Sequence, residues 1–176
     1  MPGVFLTAIA CITSPSALGE YSMDPAYTGL RNLALGSKAE EILGHTGKPH
    51  EVFGAIFEIG MENGVATIVS MADGSISIYT SSGGGFLGLQ RDEQVRKSAR
   101  TFLLDSRSYL GSMKPVSNYP VPAFNHVHFY VLTVDGVMFA ESNEADIRKR
   151  GNPLSVLYED AQRLIFDIQR TAKQRN

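Results

Sequence analysis

The sequence predicts an α+β protein with a single antiparallel sheet of about five strands, and two observations carry this prediction. Strand-length apolar runs occur in two groups, and Asn-Gly or Asp-Gly pairs that favour tight turns divide the runs. Each group is followed by a long segment whose apolar residues recur at spacings of three and four, as in an amphipathic helix. The predicted order is therefore β-β-β-α-β-β-α, with both long helices on one face of the sheet.

The first group of runs is predicted to form an antiparallel meander. It divides into three strands, at residues 52–61, 65–71 and 75–80. In the third strand, Ile76 and Ile78 alternate with Ser75, Ser77 and Tyr79. Because successive side chains of a strand point to opposite faces, this alternation indicates a sheet with one apolar and one semi-polar face.

The two long helices are predicted from apolar stripes. The first runs over residues 92–113, with acidic residues in its first turn, and the second begins at Pro153. Between them, residues 126–134 and 137–141 form a second hairpin around Asp135-Gly136. The stripe of the first helix consists of Val95, Ala99, Phe102, Leu103, Ser106, Leu110 and Met113. The stripe of the second consists of Leu154, Leu157, Ala161, Leu164, Ile165 and Ile168.

The N-terminal part is less regular. Prolines and glycines interrupt residues 14–36, which are predicted to be loop with short helical pieces. Ser37 and Glu40 have the spacing of a capping box, which predicts a short helix over residues 38–43. We expect one domain over residues 1–176, with residues 1–50 packed as an extension on a core formed by residues 51–176.

The order of elements over residues 52–172 resembles that of the roadblock, longin and profilin-like group of small sheet-plus-helix domains. The strand count differs, because the roadblock pattern has two strands before its middle helix and three after it. The resemblance implies a dimerising scaffold or regulator rather than a particular chemistry.

Composition limits the classes of partner. The net charge of −2 favours neither nucleic acid nor an anionic membrane surface as a partner. Cys11 is the single cysteine, so neither an intramolecular disulfide nor a cysteine-based zinc site is expected, and a reducing cytoplasm is the expected compartment. The apolar residues 4–12 lack a preceding Lys or Arg and are short for a signal peptide, so cleavage is not expected.

A glycine-rich loop over residues 83–88 is the first candidate ligand site. Backbone N–H groups of Ser82, Gly83, Gly84 and Gly85 are candidates for cradling an anion at a strand-to-helix junction. The loop lacks the Lys of a phosphate-binding P-loop, and Asp92 and Glu93 would repel an anion. The alternative is a sharp corner that lets a strand and a helix pack closely.

His126 and His128 are the second candidate site. They are two residues apart on a strand, so both rings lie on one face and can share a metal ion. Third-ligand candidates are His45, His50, Glu58 and Glu141. The alternative is that both histidines belong to the semi-polar face of the sheet. No cofactor is expected.

Cationic residues form a stripe on the middle helix, at Arg96, Lys97, Arg100 and Arg107. Together with residues 148–150 and the basic C-terminal end, this stripe can form a positive patch, although an ordinary solvated helix surface explains it equally well. It lacks the interleaved aromatic residues of single-strand nucleic-acid binders.

The semi-polar face needs a cover, since Tyr79 and Tyr130 would otherwise be bare. Either residues 1–50 fold over it or a second copy of the chain does. Because no complete catalytic motif accompanies this architecture, we expect a non-enzymatic cytoplasmic module that binds a protein partner or forms a homodimer through the sheet face. The rival hypothesis is a small-ligand or metal-binding protein or enzyme that uses the glycine loop, His126 and His128.

Overall fold

The computed structural model describes residues 21–174. The apolar residues 4–12 and Cys11 lie outside this range, so the expectations on a signal sequence and on the cysteine concern undescribed residues. Within the described range, no helix is both long and apolar enough to cross a membrane. The fold class is confirmed, since the chain forms an α+β domain around one antiparallel sheet.

The first three strands form the expected meander: β1 (Val52–Met61), β2 (Gly64–Met71) and β3 (Ile76–Thr80). In β3, Ile76 packs with the core on one face of the sheet and Tyr79 with the core on the other, which confirms the alternation. The β1–β2 turn at Glu62-Asn63 sets a register that pairs Met61 with Gly64 and Gly54 with Met71.

The glycine-rich segment makes a hairpin, and its prediction as a direct strand-to-helix junction is wrong. Thr80 donates its backbone N–H to the Gly84 carbonyl, and Gly83 donates to the Thr80 carbonyl. The chain then returns along β3 as a short strand, β4 (Gly85–Leu87), before a 3₁₀ turn over Leu89–Arg91. The three glycines have φ values of +89°, +85° and +150°, which this turn requires and other residues rarely adopt.

The middle helix, α3 (Glu93–Ser106), begins where it was predicted and ends earlier. The Asp92 carboxylate caps it by accepting the Val95 N–H at 3.0 Å. After Ser106 the chain continues as a 3₁₀ segment over Arg107–Ser112. The shorter helix still buries Val95, Ala99 and Phe102 on the predicted face.

Three further strands complete the sheet: β5 (Lys114–Val116), β6 (His126–Thr133) and β7 (Gly136–Asn143). The sheet therefore has seven strands rather than about five, in the order β4-β3-β2-β1-β6-β7-β5. The additional strands, β4 and β5, have three residues each, too few to show a periodic pattern in the sequence.

The long helices α3 and α5 (Ser155–Gln174) cover one face of the sheet, as predicted. Phe57 and Phe129 on neighbouring strands pack 5.1 Å apart between ring centroids, and Tyr158 of α5 packs against Phe57. A single turn of helix, α4 (Glu144–Ile147), occupies part of the segment between β7 and α5 and buries Ile147 in this core.

The opposite face is covered by α1 (Pro25–Leu35), in a region predicted to be mainly loop. Pro25 stands at the start of the helix, where its missing N–H costs nothing, and Asp24 caps the helix through the Ala26 N–H. Tyr27 and Leu35 pack with Tyr79 and Tyr130 of the sheet. The semi-polar face is thus occupied by residues of the same chain.

The short helix α2 (Ala39–Leu43) follows α1 and ends at Gly44, which has a left-handed conformation. The predicted capping box does not form. Lys38 occupies the cap position without a side-chain cap, while Ser37 donates its hydroxyl to the Leu33 carbonyl instead.

The two edges of the sheet differ in chemistry. The β4 edge exposes Phe86 (45%) and Leu87 (60%) and contains no charged residue. The β5 edge contains Lys114 and Pro115, and a proline has no N–H to offer a further strand. Among the described residues, β4 and β5 each pair with one strand only.

Candidate functional site

A groove of about 560 Å³ lies between α3 and the turn that joins β2 to β3. The turn contributes Ala72, Asp73 and Gly74 to one wall, and the opposite wall is the face of α3. All four cationic residues of the predicted stripe line this groove, namely Arg96, Lys97, Arg100 and Arg107.

Because α3 is amphipathic, its cations lie along the edge of its buried face. Val95, Ala99 and Phe102 are buried against the sheet, so the neighbouring positions 96, 97 and 100 fall at the border between core and solvent. Arg107 follows the last residue of α3 and lies three turns beyond Arg96, on the same side. A hydrogen bond links β2 to α3 beside the groove, where the Ser70 hydroxyl donates to the Ala99 carbonyl at 2.9 Å.

The floor of the groove is apolar. Ile76 and Leu103 are buried there, while Leu104 remains 40% exposed. An aliphatic floor under a cationic rim is an arrangement that interacts with both parts of an amphipathic ligand.

The cations of the rim have no carboxylate partner in the described part of the chain, since none of their nitrogen atoms comes within 4.0 Å of one. Two acidic residues, Asp73 and Glu93, also line the groove. Both carboxylate oxygens of Asp73 already accept hydrogen bonds from Ser75, at 2.8 and 2.9 Å. Four positive and two negative side chains leave the groove with a local excess of positive charge, in a protein whose net charge is −2.

The other described basic residues of the predicted patch, at positions 148–150 and 173, do not line the groove, and the end of the basic C-terminal segment lies outside the described residues. Arg148 forms an ion pair with Glu144 and donates to the Tyr158 hydroxyl, while Lys149 pairs with Asp146 at 2.5 Å. Arg148 and Lys149 therefore both have carboxylate partners near in sequence, unlike the four cations that line the groove.

The glycine turn lines a smaller cavity of about 230 Å³, together with the N-terminal half of α1. Gly83, Gly84 and Gly85 contribute backbone to it, and Ala26, Tyr27, Leu30 and Leu87 contribute apolar or aromatic surface. The exposed Ser82 is outside the lining.

A carboxylate stands beside this turn. A Cβ atom added at Gly83 would lie 3.3 Å from an Asp24 carboxylate oxygen, and the Asp24 N–H donates to the Ser81 carbonyl at 2.8 Å. The negative charge of Asp24 disfavours an anion at the turn, so the surroundings suit an apolar ligand better than a phosphate.

His126 and His128 lie on the same strand in different environments. His126 is partly exposed and its Nδ1 contacts the Phe124 carbonyl at 3.0 Å. His128 is buried, with Nδ1 3.2 Å from the Pro120 carbonyl and Nε2 3.6 Å from Glu141. Burial lowers the pKa of His128, so the neutral imidazole is favoured.

Within residues 21–174, no group of three or more His, Cys, Asp and Glu side chains is placed to hold a metal ion. Of the proposed third ligands, His50 pairs with Asp135 at 2.7 Å and Glu58 pairs with Arg31. Glu141 approaches His128 but is half exposed, and the exposed His45 contacts the Thr46 carbonyl. The His126–His128 metal site remains a prediction without a third ligand.

A buried polar cluster that the sequence analysis missed lies between α1 and the sheet. Glu58 of β1 is fully buried and accepts two hydrogen bonds from Arg31 of α1, at 2.6 and 2.9 Å. Thr67 donates a third at 3.0 Å, and Arg31 also donates to the Tyr119 and Pro120 carbonyls at 3.0 Å. The sequence held a signal, since Glu58 is the single charge in the apolar run of β1 and a buried charge needs a partner.

This cluster changes the acidity of its phenols. Burial, with a smaller contribution from the Glu58 charge, raises the pKa of Tyr27 to about 12. The same two causes raise the pKa of Tyr130 above its ordinary value, and the Tyr130 hydroxyl donates to the Pro120 carbonyl. Because the cluster is closed to solvent and internally paired, it anchors α1 and the segment around Pro120 rather than forming a ligand site.

Comparison with protein-family models, with curated proteins and with solved structures finds no match to this chain.

Proposed function

We propose that the protein is a non-enzymatic protein-binding module and that the groove between α3 and the β2–β3 turn is its contact surface. The observation that carries this proposal is the apolar floor beneath four cations that lack carboxylate partners in the described residues. Interfaces between proteins favour this combination, because apolar side chains at the centre supply binding energy and arginine is enriched around them.

A steric block tests the proposal. Ala72 is exposed on the turn wall, so Ala72→Phe fills part of the groove without changing its charge. Peptides selected from a displayed random library against the wild-type protein should lose most of their affinity for Ala72→Phe. The matched control is Ala145→Phe, at an exposed alanine of α4 outside the groove. Selected peptides that bind Ala72→Phe as tightly as the wild type would contradict the proposed surface.

We keep homodimerisation in the cytoplasm as part of the proposal, in line with the resemblance to roadblock and profilin-like domains. Because α1 occupies the semi-polar face, a second copy would need a different surface from the one the sequence suggested. Sedimentation velocity over a range of concentrations measures the association state. A monomer at the highest concentration would remove this part of the proposal.

The glycine-turn cavity favours a second candidate function, the binding of a small apolar ligand. Its volume of about 230 Å³ suits a molecule of few heavy atoms, below the range of typical drug-sized pockets. A thermal-shift screen with small aromatic and aliphatic compounds tests this function. Ala26→Phe, which adds a ring at an exposed residue of the cavity lining, should abolish any shift.

A further inference from the structure

We infer that the groove on α3 recognises an acidic, amphipathic segment of a partner protein, whose carboxylates meet the cationic rim while its apolar side chains contact the floor. This inference rests on the proposed protein-binding function and specifies the chemistry of the partner.

The first step is the charge of the rim. Its four cations are exposed and have no carboxylate within 4.0 Å in the described chain. Cations held close together on one helix face repel one another, so a ligand that brings negative charge relieves this repulsion. Asp73 and Glu93 also line the groove, but neither carboxylate lies within 4.0 Å of a nitrogen atom of these four cations.

The second step is the spacing of the arginines. Arg96, Arg100 and Arg107 are separated by four and seven residues, so they recur on one side of the helix. At the rise of an α-helix, the stripe extends over roughly 16 Å. A segment with carboxylates repeated along one face can meet several of these guanidinium groups together, and arginine binds carboxylates with two parallel hydrogen bonds.

The third step asks why the ligand is a peptide rather than a nucleic acid, the other polyanion that a cationic groove can attract. The described residues that line the groove include no aromatic ring, so bases have no surface on which to stack. The exposed Leu104 and the buried Leu103 and Ile76 would have no apolar partner beneath a phosphate backbone.

Fluorescence anisotropy with defined probes tests the inference. The first probe is a short labelled peptide of alternating Glu and Leu, and the comparison probes carry Lys or Ser in place of Glu. We expect the Glu peptide alone to bind and its affinity to fall steeply as salt is raised, because salt screens exposed charges. A labelled single-stranded oligonucleotide should bind more weakly than the Glu peptide.

Charge-matched variants show where the peptide binds. Arg96→Gln with Arg100→Gln should weaken the Glu peptide about fivefold, as expected for the loss of two exposed ion pairs. Lys48→Gln with Arg150→Gln removes the same charge from exposed positions outside the groove and should leave the affinity unchanged. Leu104→Ser should weaken binding, whereas Leu33→Ser, at an exposed leucine of α1, should not.

Each contrary result has a separate meaning. Equal binding of the Lys and Glu peptides, an unchanged affinity in the double-arginine variant, or tighter binding of the oligonucleotide overturns the inference. If the Ser peptide binds and Ala72→Phe blocks it, the groove binds proteins without acidic specificity, so the inference fails and the proposed function stands. If Ala72→Phe leaves binding of the Glu peptide intact, the groove is not the contact surface and both fail.

Discussion

At the scale of single residues, the buried Glu58 carboxylate has Arg31 as its one cationic partner in the described chain. Glu58 is fully buried in the central strand β1, and Arg31 reaches it from α1, which packs on the sheet face opposite α3 and α5. Removing a charge from water is costly, and here two arginine hydrogen bonds and the Thr67 hydroxyl compensate for it. The pair therefore fixes where α1 sits on the sheet.

We expect Arg31→Met to reduce the free energy of unfolding by about 3–5 kcal/mol, because it leaves the Glu58 carboxylate buried without its counter-charge. Urea denaturation measures this loss. The double variant Arg31→Met with Glu58→Leu should lose less than the single variant, since it removes both charges. The control Lys149→Met breaks the exposed pair with Asp146 and should change stability by less than about 1 kcal/mol. Equal losses in the Arg31 and Lys149 variants would contradict the anchoring role.

A pair of carboxylates between α3 and α5 predicts a pH dependence. Burial and the neighbouring Asp105, with Glu159 adding to them and Arg163 opposing, raise the pKa of Asp160 to about 6 from 3.8. One Asp160 oxygen is buried without a hydrogen-bond partner among the described residues. Above pH 6 the ionised Asp160 lowers the free energy of unfolding. As pH falls from 6 towards 3.8, the folded state takes up a proton that the unfolded state does not, so this cost disappears and the fold becomes more stable.

Asp160→Asn removes this titration. Above pH 6 the variant should be more stable than the wild type by about 1 kcal/mol, a value reduced for solvent screening at a partly exposed site. The difference should shrink as pH falls towards 4. Chemical denaturation at several pH values measures it, with the exposed Glu41→Gln as the control for general charge effects. A difference that is constant with pH would show that the carboxylate pair does not titrate as expected.

At the scale of elements, the glycine turn offers a matched pair of substitutions. A Cβ atom at Gly85 would lie 2.3 Å from the Ile78 carbonyl oxygen, whereas one at Gly84 would meet nothing within 4 Å. Both residues have positive φ, so both alanine variants carry backbone strain of about 1–3 kcal/mol. We expect Gly85→Ala to destabilise more, because it also forces β4 away from β3. Thermal unfolding compares the stability of Gly84→Ala and Gly85→Ala. An equal loss of stability in both variants would show that the contact of the Gly85 Cβ with the Ile78 carbonyl relaxes freely.

The sequence predicted those elements whose pattern is local and long enough to repeat. The β1–β3 meander and α3 follow from apolar periodicity and turn residues. The sequence does not predict α1 as one continuous helix, because Pro25 and Gly29 disfavour a helix interior, although proline is well tolerated in a first helical turn. The cationic stripe could be predicted from the spacing of α3, whereas its opposite wall could not, since it depends on how the β2–β3 turn sits against the helix.

At the scale of the whole molecule, layers cover the central strands on both faces. Phe57 of β1 and Phe129 of β6 are fully buried under α3 and α5, while Ile56 and Tyr130 on the same strands are buried under α1. We therefore expect backbone amides of β1 and β6 to exchange with solvent more slowly than those of any other element. Hydrogen exchange followed by mass spectrometry measures this order. Faster exchange in β6 than in β4 would contradict it.

The unequal edges of the sheet limit how copies of the chain could join by strand pairing. The β5 edge, with Lys114 and Pro115, resists a further strand, whereas the uncharged β4 edge does not. A protein with one receptive edge can pair once, edge to edge about a two-fold axis, and both receptive edges are then used. Growth into a filament needs two receptive edges on every copy. Strand pairing through the edges formed by residues 21–174 would therefore stop at two chains.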